Sequence, residues 1–549
     1  MSHKRLYYQL IPVVALLVAL AIWQLPDFFQ RNSGIDLPKG VNPQFNQALK
    51  IDKPCVDLHP EWRNAQTIDG VKMAESRLCE PDNPFDVAAF VLGMNHISMS
   101  TLMNTNIAED ALTKSDDLDG DGDPDIIRIK LEVLELNGAT PDSPNVFPQY
   151  EIAPGIQPGL WAFSPKLRGM SVKNFRSQKP NAILRAPSPV IRVEKGDKVY
   201  ITLENTHYFP HTIHFHGVDH AFKTSLGGDN DGVPITGEKA VMPGKTRTYE
   251  LQPRHAGTML YHCHVQTDKH LMMGLVGMFV VEENRPNNHV QTFNVGAGHV
   301  RYSSAAIKEK YDREYDLHYQ SIDKNLAKTI QQSNDIREIS KQMHRVYNMS
   351  ESNENYFMLN GHSFPYTLRD SIIIAKPDEN IKLRVANTQH SNIAVHIHGH
   401  KATITDYDGV EQNPAAQITR DVFSLAAAQR LDLKLQTTND GLHSYGEGVW
   451  LFHDHVETAV SNDGMGPGGN IALLVYENML TSIGLPILRK DALDDFFSNR
   501  FYAKKQVLWG KNEAGAFSPN MLHLLLFGLL VGAIVGLIFF IFRGLSKAD

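Results

Sequence analysis

Cysteine is scarce in this chain: Cys55, Cys79 and Cys263 are the only three in 549 residues. So few thiols exclude a scaffold stapled by many disulfides. An excess of positive charge is missing too. Acidic side chains number 61 against 53 basic ones, for a net charge of -8, which argues against a general nucleic-acid binder. Long apolar runs are confined to two places. Met521–Phe542 carries one polar side chain, His523, and is long enough to cross a bilayer as a C-terminal transmembrane helix. Leu10–Leu25 follows Lys4 and Arg5, and no small-x-small cleavage site comes after it. The expectation is an uncleaved N-terminal anchor. Basic residues lie before the first span and after the second (Arg543, Lys547). Both termini are therefore expected in the cytoplasm, with everything between them periplasmic or otherwise extracytoplasmic. In that oxidising space Cys55 and Cys79 are expected to pair.

Histidine is where the chain is rich. The pattern His-x-His occurs as His214-Phe-His216, His262-Cys263-His264, His396-Ile-His398 and His453-Asp-His455. On a strand, residues i and i+2 share a face, so each pair presents two imidazoles side by side, and imidazole suits copper. Eight such histidines suffice for a three-copper cluster. Cys263 lies inside one pair, so its thiolate can wire an outer copper to that cluster.

A mononuclear blue copper site needs one thiolate, two imidazoles and a weak axial ligand. His211, Cys263 and His270 supply the strong three. Leu275, five positions after His270, falls at the axial position, with Met272 and Met273 as nearby alternatives. Leucine cannot coordinate, which favours Cu(I) and a high potential. Further upstream, Asp117, Asp119, Asp121, Asp123 and Asp125 alternate with glycines in a D-x-D-G-D-G-x-x-D loop, an oxygen-rich wrap for Ca2+.

Strand-rich sequence with Gly and Pro punctuation runs over 125–285 and again over 355–480. The two stretches superpose with a period of about 182 residues, from His214 to His396. On that superposition Ile393, Asp454 and Ser461 replace His211, Cys263 and His270, so the second unit has no blue copper. The expected order is an anchor over 1–26, an extension over 27–124 holding the disulfide and the acidic loop, and the first β unit. A helical linker over 286–354 follows, then the second β unit, a linker over 481–520 and a span over 521–542. Met94, His96, Met99 and Met103 in the extension read as one face of a core helix.

Together with the Asp231-Gly-Val-Pro234 turn, Pro243-Gly244, Gly257-Thr258 and Asn360-Gly361, these motifs resemble a two-domain multicopper oxidase. The laccase-like subtype with blue copper in the first domain only is the nearest likeness, over residues 125–480. The resemblance implies an all-β fold of two cupredoxin-like Greek-key barrels or sandwiches. It implies four coppers per chain, one type 1, one type 2 on His214 and His396, and two type 3. His216, His262, His264, His398, His453 and His455 would bind the type 3 pair. It also implies a homotrimer with clusters at subunit interfaces and four-electron reduction of O2 to water. Asp219 and Glu457 are the candidate proton carriers, His262, Cys263 and His264 the electron route. The donor is unknown: a metal ion such as Cu(I), Fe(II) or Mn(II), a phenol, or a redox protein. Asp219, Asp229, Asp231 and Asp268 lie near blue-site ligands and could hold a cation. The alternatives are a non-catalytic copper or electron-transfer subunit of a membrane complex, and a copper nitrite reductase.

Overall fold

Alternation of apolar and polar residues builds the strands. In Lys198–Glu204, Val199, Ile201 and Leu203 are buried while the residues between them are partly or fully exposed. In Ile393–Ile397, Ile393, Val395 and Ile397 are buried and His396 is not. The computed structural model describes residues 66–68, 71–73, 108–140, 150–153, 155–167, 186–288, 290–294, 303–480 and 486–488. Both expected membrane spans, the Cys55–Cys79 bridge and the Met94–Met103 stretch lie outside the described residues. Among those described, no helix is long and apolar enough to cross a membrane.

A short hairpin joins β1 (Gln66–Ile68) to β2 (Val71–Met73). The first sandwich sets one sheet of β3 (Leu112–Ser115), β4 (Ile126–Leu136), β5 (Leu160–Pro165), β7 (Lys198–Glu204) and β9 (Thr246–Leu251) against a second. That second sheet holds β6 (Val190–Glu194), β8 (His214–His216), β10 (Gly257–His262), β11 (Val276–Glu282) and β12 (Phe293–Asn294). In the second sandwich one sheet has β13 (Arg313–Ile322), β14 (Tyr356–Leu359), β16 (Asn380–Asn387), β18 (Ala402–Tyr407), β19 (Val410–Glu411), β20 (Thr419–Arg420) and β22 (Arg430–Gln436). Its mate holds β15 (Ile373–Ala375), β17 (Ile393–Ile397), β21 (Val422–Leu425), β23 (Val449–Asp454) and β24 (Ala472–Tyr476). The chain is mostly β and cupredoxin-like.

The duplication is visible in the pairing. β4 runs parallel to β7 and β13 parallel to β16. β6 runs parallel to β11 and β15 parallel to β24. The histidine-bearing pairs β8–β10 and β17–β23 are both antiparallel, with His214 opposite His262 and His396 opposite His453.

The linker expected to be helical over 286–354 is helical only in part, and the second unit begins well before residue 355. Arg313–Ile322 is the strand β13, with Tyr315, Leu317 and Tyr319 facing the second core. Its apolar residues read at helical spacing with those before it, as in Ile307, Tyr311 and Tyr315, and the partners of its charges are remote in the sequence. Asp316 pairs with Arg192 and Glu314 with Arg384, 124 and 70 residues away. Two true helices follow, Lys324–Gln331 and Ile336–Lys341, capped by the carboxylates of Asp323 and Asp335. Leu326, Ile330, Ile339 and Met343 from this segment pack into the core of the first sandwich. The first sandwich likewise starts earlier than residue 125, because β3 pairs with β4 and the acidic loop is the turn between them.

Within the chain the two sandwiches meet on the outer face of β10. Leu260 packs with Val190, Met278, Val280 and Ala386, and the Thr258 hydroxyl donates to Asp432 while accepting from Arg384 Nη1 at 3.1 Å.

Candidate metal centre

Period-two alternation decides where the ligands go. Met259, Tyr261 and Cys263 turn into the first core, whereas Leu260 lies on the outer face, the side shared by His262. His211 bridges to Val241 at the rim, and His270 closes the short helix Thr267–His270. The three side chains meet there. Cys263 Sγ is 3.5 Å from His211 Nδ1 and 3.5 Å from His270 Nδ1, and all three residues are fully buried. A thiolate and an imidazole nitrogen roughly 2.3 and 2.0 Å from one ion stand at about that separation. Burial holds both imidazoles well below their ordinary range and pushes the Cys263 thiol up to about 11. The imidazoles are thus kept neutral, as ligation requires, and the thiol needs a metal to ionise at neutral pH. Leu275 is buried in the same core, and its carbonyl accepts from the Cys263 N–H at 3.0 Å. The Met272 sulfur lies 3.8 Å from the Tyr347 hydroxyl, which donates to Asp323 Oδ2 at 2.7 Å.

The paired histidines form two quartets, one per sandwich. His214, His216, His262 and His264 have ring centroids 5.0–5.6 Å apart along their contacts, and His396, His398, His453 and His455 4.6–5.8 Å. Nε2 of His216 stands 3.0 Å from Nε2 of His262, and Nε2 of His398 stands 3.2 Å from Nε2 of His453. Two nitrogens each about 2.0 Å from a shared ion subtend close to that distance. At four histidines a backbone carbonyl takes the Nδ1 proton and leaves Nε2 free for metal. These are His214 to Asp231 O (2.8 Å), His396 to Asp421 O (3.0 Å), His262 to Cys263 O (2.9 Å) and His453 to Asp454 O (2.8 Å). The donor sets fit copper in both kinds of site.

No ring pair among the described residues joins one quartet to the other, and the sheets explain why. The first quartet lies on the outer face of β8 and β10. The second lies on the outer face of β17 and β23, whereas domain contact uses the opposite sheet, through Arg384, Ala386 and Asp432 on β16 and β22. The thickness of the second sandwich, with sheets roughly 10 Å apart, separates them.

The carboxylates singled out in the sequence have the following partners. Asp219 accepts from Arg254 N at 2.8 Å and from its guanidinium at 2.7 Å. Slight burial raises its pKa, but the Arg254 contacts hold it net below its ordinary value. Asp229 pairs with Arg247 and Asp268 with Lys269. Asp219, Asp229 and Asp268 each thus have a cationic partner. Asp231 instead orients a ligand, its carboxylate 3.3 Å from His214 Nδ1. Glu457 stands 3.3 Å from His455 Nδ1, beside the second quartet. In the acidic loop, side-chain oxygens of Asp117, Asp119 and Asp125 converge within 4.8 Å. Asp121 is pushed up to about 6 by burial and neighbouring carboxylates, and Asp123 accepts from Asn288 N at 2.9 Å.

Sequence reasoning missed three residues around the blue site. His207 Nδ1 is 2.9 Å from His211 Nε2, His344 Nε2 is 3.2 Å from His270 Nε2, and Glu135 faces His207. His207, four residues before His211, was the one with a local signal.

Residues 184–286 and 338–467 each match a family described as multicopper oxidase. Two stretches of this chain are thus multicopper oxidase domains. It is 23% identical over 278 residues to copper resistance protein A of Pseudomonas syringae pv. tomato, covering 48% of this chain and 43% of that protein. It is 32% identical over 108 residues to a multicopper oxidase of Staphylococcus aureus, covering 19% and 22%. It spans less than half the length of these curated relatives. A blue copper oxidase structure from Nitrosomonas europaea superposes with a TM-score of 0.47 at 24% identity, over 69% of this chain and 95% of that one.

Proposed function

We propose that this multicopper oxidase takes electrons singly from a donor at His211, Cys263 and His270 and passes them to O2 at a trinuclear site. Copper, when bound, supplies the one-electron redox couple and the binding of O2. The residues do the rest. Buried His211 and His270 exclude water from the blue site, and the Cys263 backbone, flanked by His262 and His264, is the covalent link between centres. Leu275 removes the axial ligand and favours the reduced state. Glu457 is the carboxylate nearest the second quartet and the candidate to carry protons. The single observation that carries the reading is retention of two complete quartets beside a complete Cys-His-His set.

Because the quartets lie on different faces, each cluster is assembled from the first sandwich of one chain and the second of the next. A heterologous contact of this kind closes into a ring, and we take the ring to be a homotrimer. Exposed Leu226 and Ile235, in the loop following β8, are 95% and 93% accessible and suit such a contact. The apolar runs at Leu10–Leu25 and Met521–Phe542 support tethering to a membrane with the copper domains outside the cytoplasm; release from membranes by carbonate wash alone would refute the tether. The acidic loop is assigned to Ca2+, which should raise the melting temperature of the wild type and not of Asp117→Asn.

Oxygen uptake by copper-loaded protein with a one-electron dye donor tests the oxidase reading. Uptake near four electrons per O2, without peroxide, is expected. No uptake from fully loaded protein would favour an electron-transfer subunit.

A further inference from the structure

Both imidazoles of the blue site have their outer nitrogen against another histidine, and one of these contacts continues into the core. Because Nδ1 of His211 faces Cys263, its Nε2 carries the proton and donates to His207 Nδ1 at 2.9 Å. His207 Nε2 then faces Glu135 Oε2 at 3.9 Å. All three side chains are 0–1% exposed. Glu135 is held by three further donors: Thr140 Oγ1 at 2.6 Å, Trp161 Nε1 at 3.2 Å, and the Tyr208 hydroxyl. The Trp161 ring packs edge-on to His207, His211 and His270 at 4.9, 5.9 and 5.1 Å, fixing the tilt of the three imidazoles. A carboxylate this deep, held by three hydrogen-bond donors with an imidazole N–H 3.9 Å away, is costly to bury unless it has work to do.

The second sandwich is an internal control. Asn205 and Asn387 hold equivalent loops, each Oδ1 accepting from the residue two positions on, and each Nδ2 donating to carbonyls of its own loop and the strand region opposite. Counting from them, Gln389 stands for His207 and Ile393 for His211. The parallel registers place Leu131 opposite Leu203 and Leu317 opposite Val385, so Ser321 stands for Glu135. Where the copper ligands are gone, the histidine and the carboxylate behind them are gone as well.

We propose that His207 and Glu135 are positioning residues that tune the potential of the blue copper site through His211. A ligand imidazole whose outer proton is held by a hydrogen-bond acceptor becomes a stronger electron donor to its metal, and the field of the buried Glu135 carboxylate 3.9 Å from His207 makes that acceptor stronger. That favours Cu(II) and lowers the potential, opposing the rise caused by Leu275. The pair thereby sets which one-electron donors can reduce the site. This rests on the reading of His211, Cys263 and His270 as a blue copper site.

The experiment is a spectroelectrochemical titration of the blue absorption on the copper-loaded full chain: wild type, Glu135→Gln and His207→Gln, the last copying the residue of the second sandwich. Both variants should keep the blue band and shift its midpoint upward, and the double variant should go no higher than the larger single shift, because the two act in series. Midpoints equal to or below wild type in the variants that load copper would overturn the proposal. If Glu135→Gln fails to fold, His207→Gln alone decides. Absence of a blue band from wild-type protein would instead remove the site reading on which the proposal stands.

Discussion

At the level of single residues, function is concentrated in eleven side chains, the eight paired histidines with His211, Cys263 and His270, and these were legible because their signal is local. Spacing of two on a strand fixes shared direction, so the eight paired histidines and Cys263 could be read before any fold was known. Glu135, Asp231 and His344 could not, because what gives them meaning is a partner brought in by folding from another strand or helix. The partner of Asp219 was equally hidden, because Arg254 lies 35 residues further along the chain. Two substitutions test the residue roles. Cys263→Ser should abolish the blue absorption and donor oxidation while the histidine quartets still load copper; surviving donor oxidation would show that electrons take another route. Leu275→Met should lower the midpoint potential of the blue site, with a stability change of less than about 1.5 kcal/mol because the swap nearly conserves volume. An unchanged potential would place Leu275 away from the axial direction.

Elements aim those residues. The turn of Asp231 and Gly232 presses onto the segment entering β8, and Asp231 O fixes the His214 ring. Gly232 has φ +73, and a Cβ there would lie 1.9 Å from Ile213 O, so no other residue fits. Gly232→Ala should cost about 1–3 kcal/mol and loosen His214. Copper content and electron paramagnetic resonance should then show loss of the type 2 signal with the blue signal kept; an intact type 2 signal would mean that the turn does not hold the ligand. Strand alternation made most elements readable. β13 was not, because Glu314 and Asp316 are charged and yet buried against arginines of other strands. Buried ion pairs erase the polar-out signal on which period reading depends.

Across the whole molecule, duplication produced two sandwiches with the same pairing scheme, and divergence left the Cys263, His211 and His270 set in the first alone. The two quartets face different ways because the chain stacks its sandwiches with the second one's opposite sheet against the first. The duplication itself was visible in the sequence from the repeat of the histidine pairs; the stacking was not, since it depends on Leu260, Ala386 and the Arg384 network meeting across the domains. On the proposed function, a complete cluster therefore draws on two chains. The most direct measurement is complementation: His216→Ala, which breaks the first quartet, and His398→Ala, which breaks the second, are each inactive alone and are co-expressed. Sharing between chains predicts that oxygen uptake returns to about a quarter of wild type, since one cluster in four then combines two intact halves in a randomly mixed ring. No recovery from folded, copper-loaded mixed assemblies would contradict it, and would mean that each chain builds its cluster alone.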